Sequence, residues 1–197
     1  FIARHFAGIM ILMYDYQRII DKYYPEGSPL RDIYLTHCRS VADKALAIAD
    51  SCRLPVDRGD VEAAAMLHDI GIFLCNAPSI HCHGTEHYMC HGFLGADLLR
   101  REGAPEELAR VAERHTGAGI TREEIIADGM PLPLDRTFTP ETLLERLICY
   151  ADKFYSKSGS LDEKPLPKVM VQMARFGPES YARFQALHGE FSQCAEG

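Results

Sequence analysis

The chain has 197 residues, of which 47% are hydrophobic and 25% charged, and its formal charge is −7. That length suits one domain with a core large enough to need no covalent staple. The acidic balance argues against a nucleic-acid polymer as partner, which calls for a basic stripe, but it leaves room for a small phosphorylated ligand whose charge a metal ion offsets.

The run from Phe1 to Met13 is too short to span a bilayer and lacks a signal-peptide cleavage site, so a cytoplasmic protein is expected. Residues 1–12 read as an upstream or expression-derived segment, and 13–197 as a single domain. Ser28-Pro29 reads as an N-cap followed by proline at the first helical position, opening a helix that runs to about Cys52. A second helix is expected from Asp57–Asp60 to Gly71, read as a C-terminal glycine. Leu74 to Thr85 is irregular and placed to line a pocket. Further helices are expected over 86–102 and from Ala104-Pro105 to His115. A short one follows Thr121, whose spacing to Glu124 is that of a capping box. A helix opened by Thr139-Pro140-Glu141 runs to Tyr155, and a polar, mobile loop spans Ser156 to Lys164. Two helices, over 165–175 and 178–191, end the chain. The fold class is all-α.

The seven cysteines (Cys38, Cys52, Cys75, Cys82, Cys90, Cys149, Cys194) are odd in number and form no Cys-x-x-Cys pair, so they read as reduced core thiols. The cluster His81, Cys82, His83, His87, Cys90 and His91 matches no paired zinc knuckle and is read against structural zinc. The tail residues Met170, Met173, Phe176 and Phe184 read as core or as the face of a homodimer.

Each helix has an apolar stripe at i, i+3, i+4, i+7, and five stripes contain a polar residue. His37 sits among Ile33, Val41 and Ala45. His68 and Asp69 follow Ala64 and Leu67. His91 begins the stripe of Leu94 and Leu98. His115 shares a face with Leu108 and Val111. Asp152 shares one with Leu144 and Ile148. A lone inward histidine is most simply a hydrogen-bonded core residue. Five inward faces converging on imidazoles and carboxylates are different, because without a counter-charge they repel or stay unsatisfied. A bound cation resolves this, since neutral histidine and carboxylate are its usual ligands.

The ordered series His37, His68-Asp69, His91, His115, Asp152 resembles the HD-domain phosphohydrolase superfamily. His68-Asp69-Ile70-Gly71 is similar to the family's doublet, Thr36-His37-Cys38-Arg39 to its first histidine motif, and Tyr150-Ala151-Asp152-Lys153 to its final aspartate motif. His91-Gly92-Phe93-Leu94-Gly95 and Arg114-His115-Thr116-Gly117 resemble the extra histidines of binuclear members, such as bacterial enzymes that split diadenosine tetraphosphate symmetrically. The resemblance covers core motifs over 29–155 and implies a helical bundle with a metal site at its centre. It implies His37, His68, Asp69 and Asp152 as ligands of one divalent ion, and Asp69 as a bridge to a second held by His91 and His115. His68 and Asp69 would form the catalytic centre. Such a ligand set suits Fe, Mn, Co, Ni or Zn, with one or two ions bound. The implied activity is hydrolysis of a nucleotide, dinucleotide or related phosphoester through a metal-activated hydroxide. Many hydrolytic members carry lysine just after the doublet's glycine, where this chain has Ile72. Phosphate contact would then fall to Arg39, Arg114 or Lys153. A metal-stabilised regulatory domain without turnover and an HD-type di-iron oxygenase are the alternatives.

Overall fold

The computed structural model describes residues 2–6 and 9–192, with side chains described from Tyr14 onward. Strands β1 (Ile2–Phe6) and β2 (Ile9–Met13) pair antiparallel as a hairpin in the segment that sequence reasoning set aside. Helix α1 (Tyr16–Tyr23) follows, capped by the Asp15 carboxylate and burying Ile19 and Ile20; no sequence expectation covered it.

Helix α2 (Pro29–Ser51) starts where Ser28 caps it and Pro29 supplies a fixed φ. Its buried face is Tyr34, His37, Cys38, Val41, Ala42, Ala45 and Ala49, a stripe turned slightly from the expected one. Helix α3 (Arg58–Leu67) opens on the Asp57 cap and ends at His68 rather than Gly71. Gly71 has φ −86°, so left-handed termination is not its role. A Cβ there would lie 2.3 Å from the His91 carbonyl and 2.6 Å from the Gly95 nitrogen. The glycine is needed because another helix passes against the doublet.

Two-residue strands β3 (Asn76–Ala77) and β4 (Cys82–His83) form a small hairpin in the segment expected to be irregular. A single 3-10 turn over Tyr88–Cys90 leads into α4 (His91–Arg101). Helices α5 (Glu106–Arg114) and α6 (Arg122–Ala127) come next, the latter with both halves of the Thr121–Glu124 capping box formed. Helix α7 (Leu143–Asp152) begins three residues later than the Pro140 signal suggests, because Thr142 and Glu145 form a second capping box. Helices α8 (Leu166–Ala174) and α9 (Pro178–Ser192) complete the described chain.

Helix α2 packs on α3 and α7, and α5 packs on α3, α4 and α7. The main core therefore lies where these helices meet, and Phe184 and Met173 join it from the last two. Cys38, Cys75, Cys82, Cys90 and Cys149 are free and buried, as expected of core thiols. Cys52 departs from that expectation, being disulfide-bonded. Among the described residues no helix is long and apolar enough to cross a membrane.

Candidate metal centre

The six expected ligands arrive from α2, the C-terminal ends of α3 and α5, the start of α4 and the end of α7. All are buried: His37, His68, Asp69, His91 and His115 are at most 4% exposed, and Asp152 is 8% exposed. They form two groups that share one residue. His37, His68, Asp69 and Asp152 each offer an atom within 4.8 Å of the others, as do Asp69, His91 and His115.

Asp69 divides its carboxylate between the groups. Its Oδ2 lies 3.2 Å from both His37 Nε2 and His68 Nε2. Its Oδ1 lies 3.4 Å from His91 Nε2 and 3.3 Å from His115 Nε2. Asp152 Oδ1 closes the first group at 3.0 Å from His37 Nε2 and 3.5 Å from His68 Nε2.

Local backbone fixes which imidazole nitrogen faces inward. His68 Nδ1 donates to the Ala65 carbonyl at 2.6 Å, His91 Nδ1 to Tyr88 at 2.6 Å and His115 Nδ1 to Ala112 at 2.8 Å. A carbonyl only accepts, so each Nδ1 carries a proton and Nε2 is the atom left to face a metal, bare in the His91 and His115 rings that burial keeps neutral and still protonated in His68, whose pKa is raised. The three carbonyls belong to the preceding turn, a placement that repeats because each histidine sits at a helix boundary.

The inward Nε2 atoms then face one another. His91 Nε2 and His115 Nε2 are 3.0 Å apart, and His37 Nε2 and His68 Nε2 are 3.2 Å apart. Neither Asp69 oxygen receives an aligned hydrogen bond. The cation beside Asp69 is Lys157, whose Nζ lies 2.6 Å from Asp69 Oδ2; among the described residues the side of Asp69 Oδ1 and the His91 and His115 rings has none, and a metal cation is the partner its chemistry fits. The residues present therefore fit a pair of divalent ions, with Asp69 as the shared ligand.

Burial holds His91 neutral, lowering its pKa to about 3 against the pull of Asp69. Burial lowers His115 as well. Burial is the strongest single influence on His68 and acts to lower it, but Asp69, Cys38 and Asp152 together outweigh it and raise the ring well above the usual range. Burial would raise the Asp69 and Asp152 carboxyls; Lys157 and His68 hold the first, and Lys153 and His37 the second, well below their ordinary values.

The surrounding structure fixes this arrangement. Tyr34 Oη donates to the Met66 carbonyl and Tyr24 Oη to the Ile70 carbonyl, pinning the turn that carries the doublet from both sides. Gly71 and Gly95 let α4 approach that turn, and Gly92 lets α4 approach the Ala112 carbonyl. The small residues thus set the distance between the His91 and His115 rings.

The expected phosphate contacts are placed differently. Arg39 pairs with Glu62 on the surface at 2.8 Å. Arg114 is committed to Glu141 and to the buried Glu145, which itself caps α7. Lys153 lies beside the centre, donating to the His115 carbonyl and pairing with Asp152 Oδ2 at 2.6 Å. Ile72 is fully buried in the main core, where it packs instead of facing a ligand. Among the described residues, the His81–Cys90 cluster supplies no metal group apart from its neighbour His91.

Two residues at the centre were missed. Lys157 places Nζ 2.6 Å from Asp69 Oδ2, although it falls in the segment expected to be a mobile loop. That segment is tied at its far end by Lys164, which donates to the Phe154 carbonyl through its backbone and to the Tyr155 carbonyl through its side chain. Tyr88 stacks on His91 with ring centroids 4.8 Å apart.

A buried set of histidines and aspartates at the meeting point of helices defines a metal-binding all-α domain. The model of the HD domain family matches residues 34–156, and the chain belongs to that family, a metal-dependent phosphohydrolase-type superfamily. The chain is 33% identical over 175 residues to a Thermoplasma volcanium protein named tRNA (cytidine(56)-2'-O)-methyltransferase, a match covering 88% of this chain and 46% of that protein. A Picrophilus torridus protein of the same name is 33% identical over 135 residues, covering 68% of this chain and 35% of its own. An uncharacterized protein of Methanocaldococcus jannaschii is 39% identical over 132 residues, 64% of this chain and 70% of its own. The chain thus spans less than half the length of the two relatives named as methyltransferases. No solved structure matches it.

Proposed function

We propose that the chain is a divalent-metal-dependent phosphohydrolase acting on a nucleotide, dinucleotide or related phosphoester. The observation that carries this reading is the split Asp69 carboxylate, each oxygen facing its own pair of imidazole Nε2 atoms. When bound, two divalent ions supply an acidified water and neutralise phosphoryl charge.

The chain's own residues do the rest. Asp69 joins the two halves of the site and sets their spacing. The carbonyls of Ala65, Tyr88 and Ala112 orient three imidazoles with Nε2 toward the centre before any ion arrives. Lys153 fixes the Asp152 carboxylate and the His115 backbone together. Beyond Tyr88 and His91 lies a cleft of about 500 Å³, bordered by Met89, Ile120, Met130 and Phe176. Its apolar wall suits the organic part of a substrate, such as a nucleoside base.

The methyltransferase name attaches to proteins more than twice the length matched here, whereas the HD domain match of this chain spans all six candidate ligands. The net charge of −7 favours a small phosphorylated substrate over a tRNA. The test is phosphate release from mono-, di- and dinucleoside polyphosphates with Mn, Fe, Co, Ni or Zn supplied. Turnover that disappears in Asp69→Asn supports the reading. Absence of turnover with every metal overturns it in favour of a regulatory domain, and oxygen uptake with reduced iron would instead identify an oxygenase.

A further inference from the structure

A centre of this kind needs a cation on the substrate side to receive the phosphoryl oxygens that the metal ions do not take. The cations proposed from sequence are spoken for. Arg39 is held by Glu62, Arg114 by Glu141 and Glu145, and Lys153 by Asp152 and the His115 carbonyl. Ile72, standing where lysine is common, is buried in the core.

Lys157 is paired as well, but with Asp69 of the centre itself and at the rim of that centre. Its chain leaves the end of α7 five residues after Asp152 and folds back over the centre, bringing Nζ to Asp69 Oδ2 at 2.6 Å. Its side chain keeps 15% of its surface exposed, whereas Asp69 keeps none. It therefore stands at the boundary between the buried ligands and solvent. On its outer side is a cavity of about 280 Å³ bordered by Ser79, Tyr88, Ser156, Lys157 and Ser158. Four hydroxyls, of Ser79, Tyr88, Ser156 and Ser158, and an ammonium border this small cavity, whose lining includes no carboxylate, Asp69 meeting the ammonium from the side of the centre. That chemistry suits a phosphoryl group and not a second cation.

We infer that Lys157, with Ser79, Ser156 and Ser158, forms the pocket that holds a phosphoryl group of the substrate against the metal centre. The inference rests on the phosphohydrolase reading and deepens it by assigning the substrate's two ends. The charged end enters over Lys157, the organic end lies in the apolar cleft, and Tyr88 forms part of the wall of both. Lys157 thus supplies from the C-terminal side of Asp152 the charge that Ile72 does not.

The test uses inorganic phosphate as the probe, so it does not depend on turnover. The full chain is loaded with Mn2+, its metal content and thermal midpoint are measured, and phosphate is titrated by calorimetry. Lys157→Met should weaken phosphate binding about tenfold or more, the loss expected for one charge-assisted hydrogen bond, at unchanged Mn content. Lys157→Arg, which keeps the charge, should stay within about threefold of wild type. Phosphate binding to Lys157→Met at wild-type strength would overturn the inference. So would loss of Mn or of the fold, provided the Ser156→Ala/Ser158→Ala variant also binds phosphate as wild type does, because Lys157 would then be a structural counter-ion to Asp69. If Lys157→Met loses Mn or its fold but that serine variant weakens phosphate about threefold or more with Mn retained, the pocket stands. Lys157-dependent phosphate binding without turnover of any phosphoester would sink the hydrolase reading alone; turnover with Lys157-independent phosphate binding would sink this inference alone.

Discussion

Gly71→Ala should separate the two halves of the metal centre without unfolding the protein. The added methyl would meet the His91 carbonyl at 2.3 Å, the Gly95 nitrogen at 2.6 Å and the Gly95 Cα at 2.9 Å, all backbone atoms that no rotamer change can move. Ordinary contact begins at 3.4 Å, so α4 must withdraw by about 1 Å. Helix α4 starts at His91, whose Nε2 already stands 3.4 Å from Asp69 Oδ1. Metal–ligand distances tolerate only about 0.2 Å, so the His91 side of the centre should open while His37, His68 and Asp152 stay in place. Overpacking of this kind costs about 1–3 kcal/mol, or roughly 3–10 °C of melting temperature for a domain of this size. Metal per chain after loading with Mn2+ and desalting, read alongside thermal unfolding, should fall from two to about one with helicity retained. Two ions per chain and an unshifted midpoint would refute the claim that the Gly71–Gly95 contact sets the site's geometry.

The double variant His91→Ala/His115→Ala should also reduce bound metal from two ions to one, by removing two of the three ligands of that group; a stoichiometry of two after elemental analysis would contradict the assignment. His68 is raised well above its ordinary pKa, so it holds a proton at pH 7 that a cation must displace, and affinity of the His37 group should rise with pH near neutrality. Calorimetry in buffers of different ionisation enthalpy should report about one proton released per ion there, whereas His91, at about 3, should release none; zero release from both groups would refute the sign. Arg114→Met should cost about 1–3 kcal/mol of stability by depriving the buried Glu145 of a partner, with Arg110 remaining near it. Its affinity for inorganic phosphate should not change, and a loss of phosphate affinity at unchanged stability would restore Arg114 as a substrate contact.

That His37, His68, Asp69, His91, His115 and Asp152 converge was legible because burial of a polar side chain contradicts a helical stripe, and the contradiction recurs on five helices. His37 and Asp152 stand out among Val41, Ala45 and Ile148 even before the chain is folded. Helix starts were legible at Ser28, where a cap precedes Pro29, and at Thr121, where a cap coincides with Glu124. At α7 two signals competed: Pro140 suggested one start, and the Thr142–Glu145 box imposed another. Gly71 was noticed for a reason that does not apply, since its backbone is right-handed and its lack of a side chain matters for close approach. Lys157 was not legible. It lies in a polar stretch with no periodicity, and its role depends on the loop after α7 turning back onto Asp69, a long-range event that local pattern does not encode. The same holds for Tyr24, whose hydroxyl reaches the doublet turn across 46 residues of sequence.

The most direct test is an anomalous-scattering map from crystals of the Mn-loaded protein. The account predicts two peaks about 3.5–4 Å apart, one among His37, His68 and Asp152 and one between His91 and His115, with an oxygen of Asp69 on each. A single peak that leaves His91 and His115 unligated, or peaks away from Asp69, would contradict it.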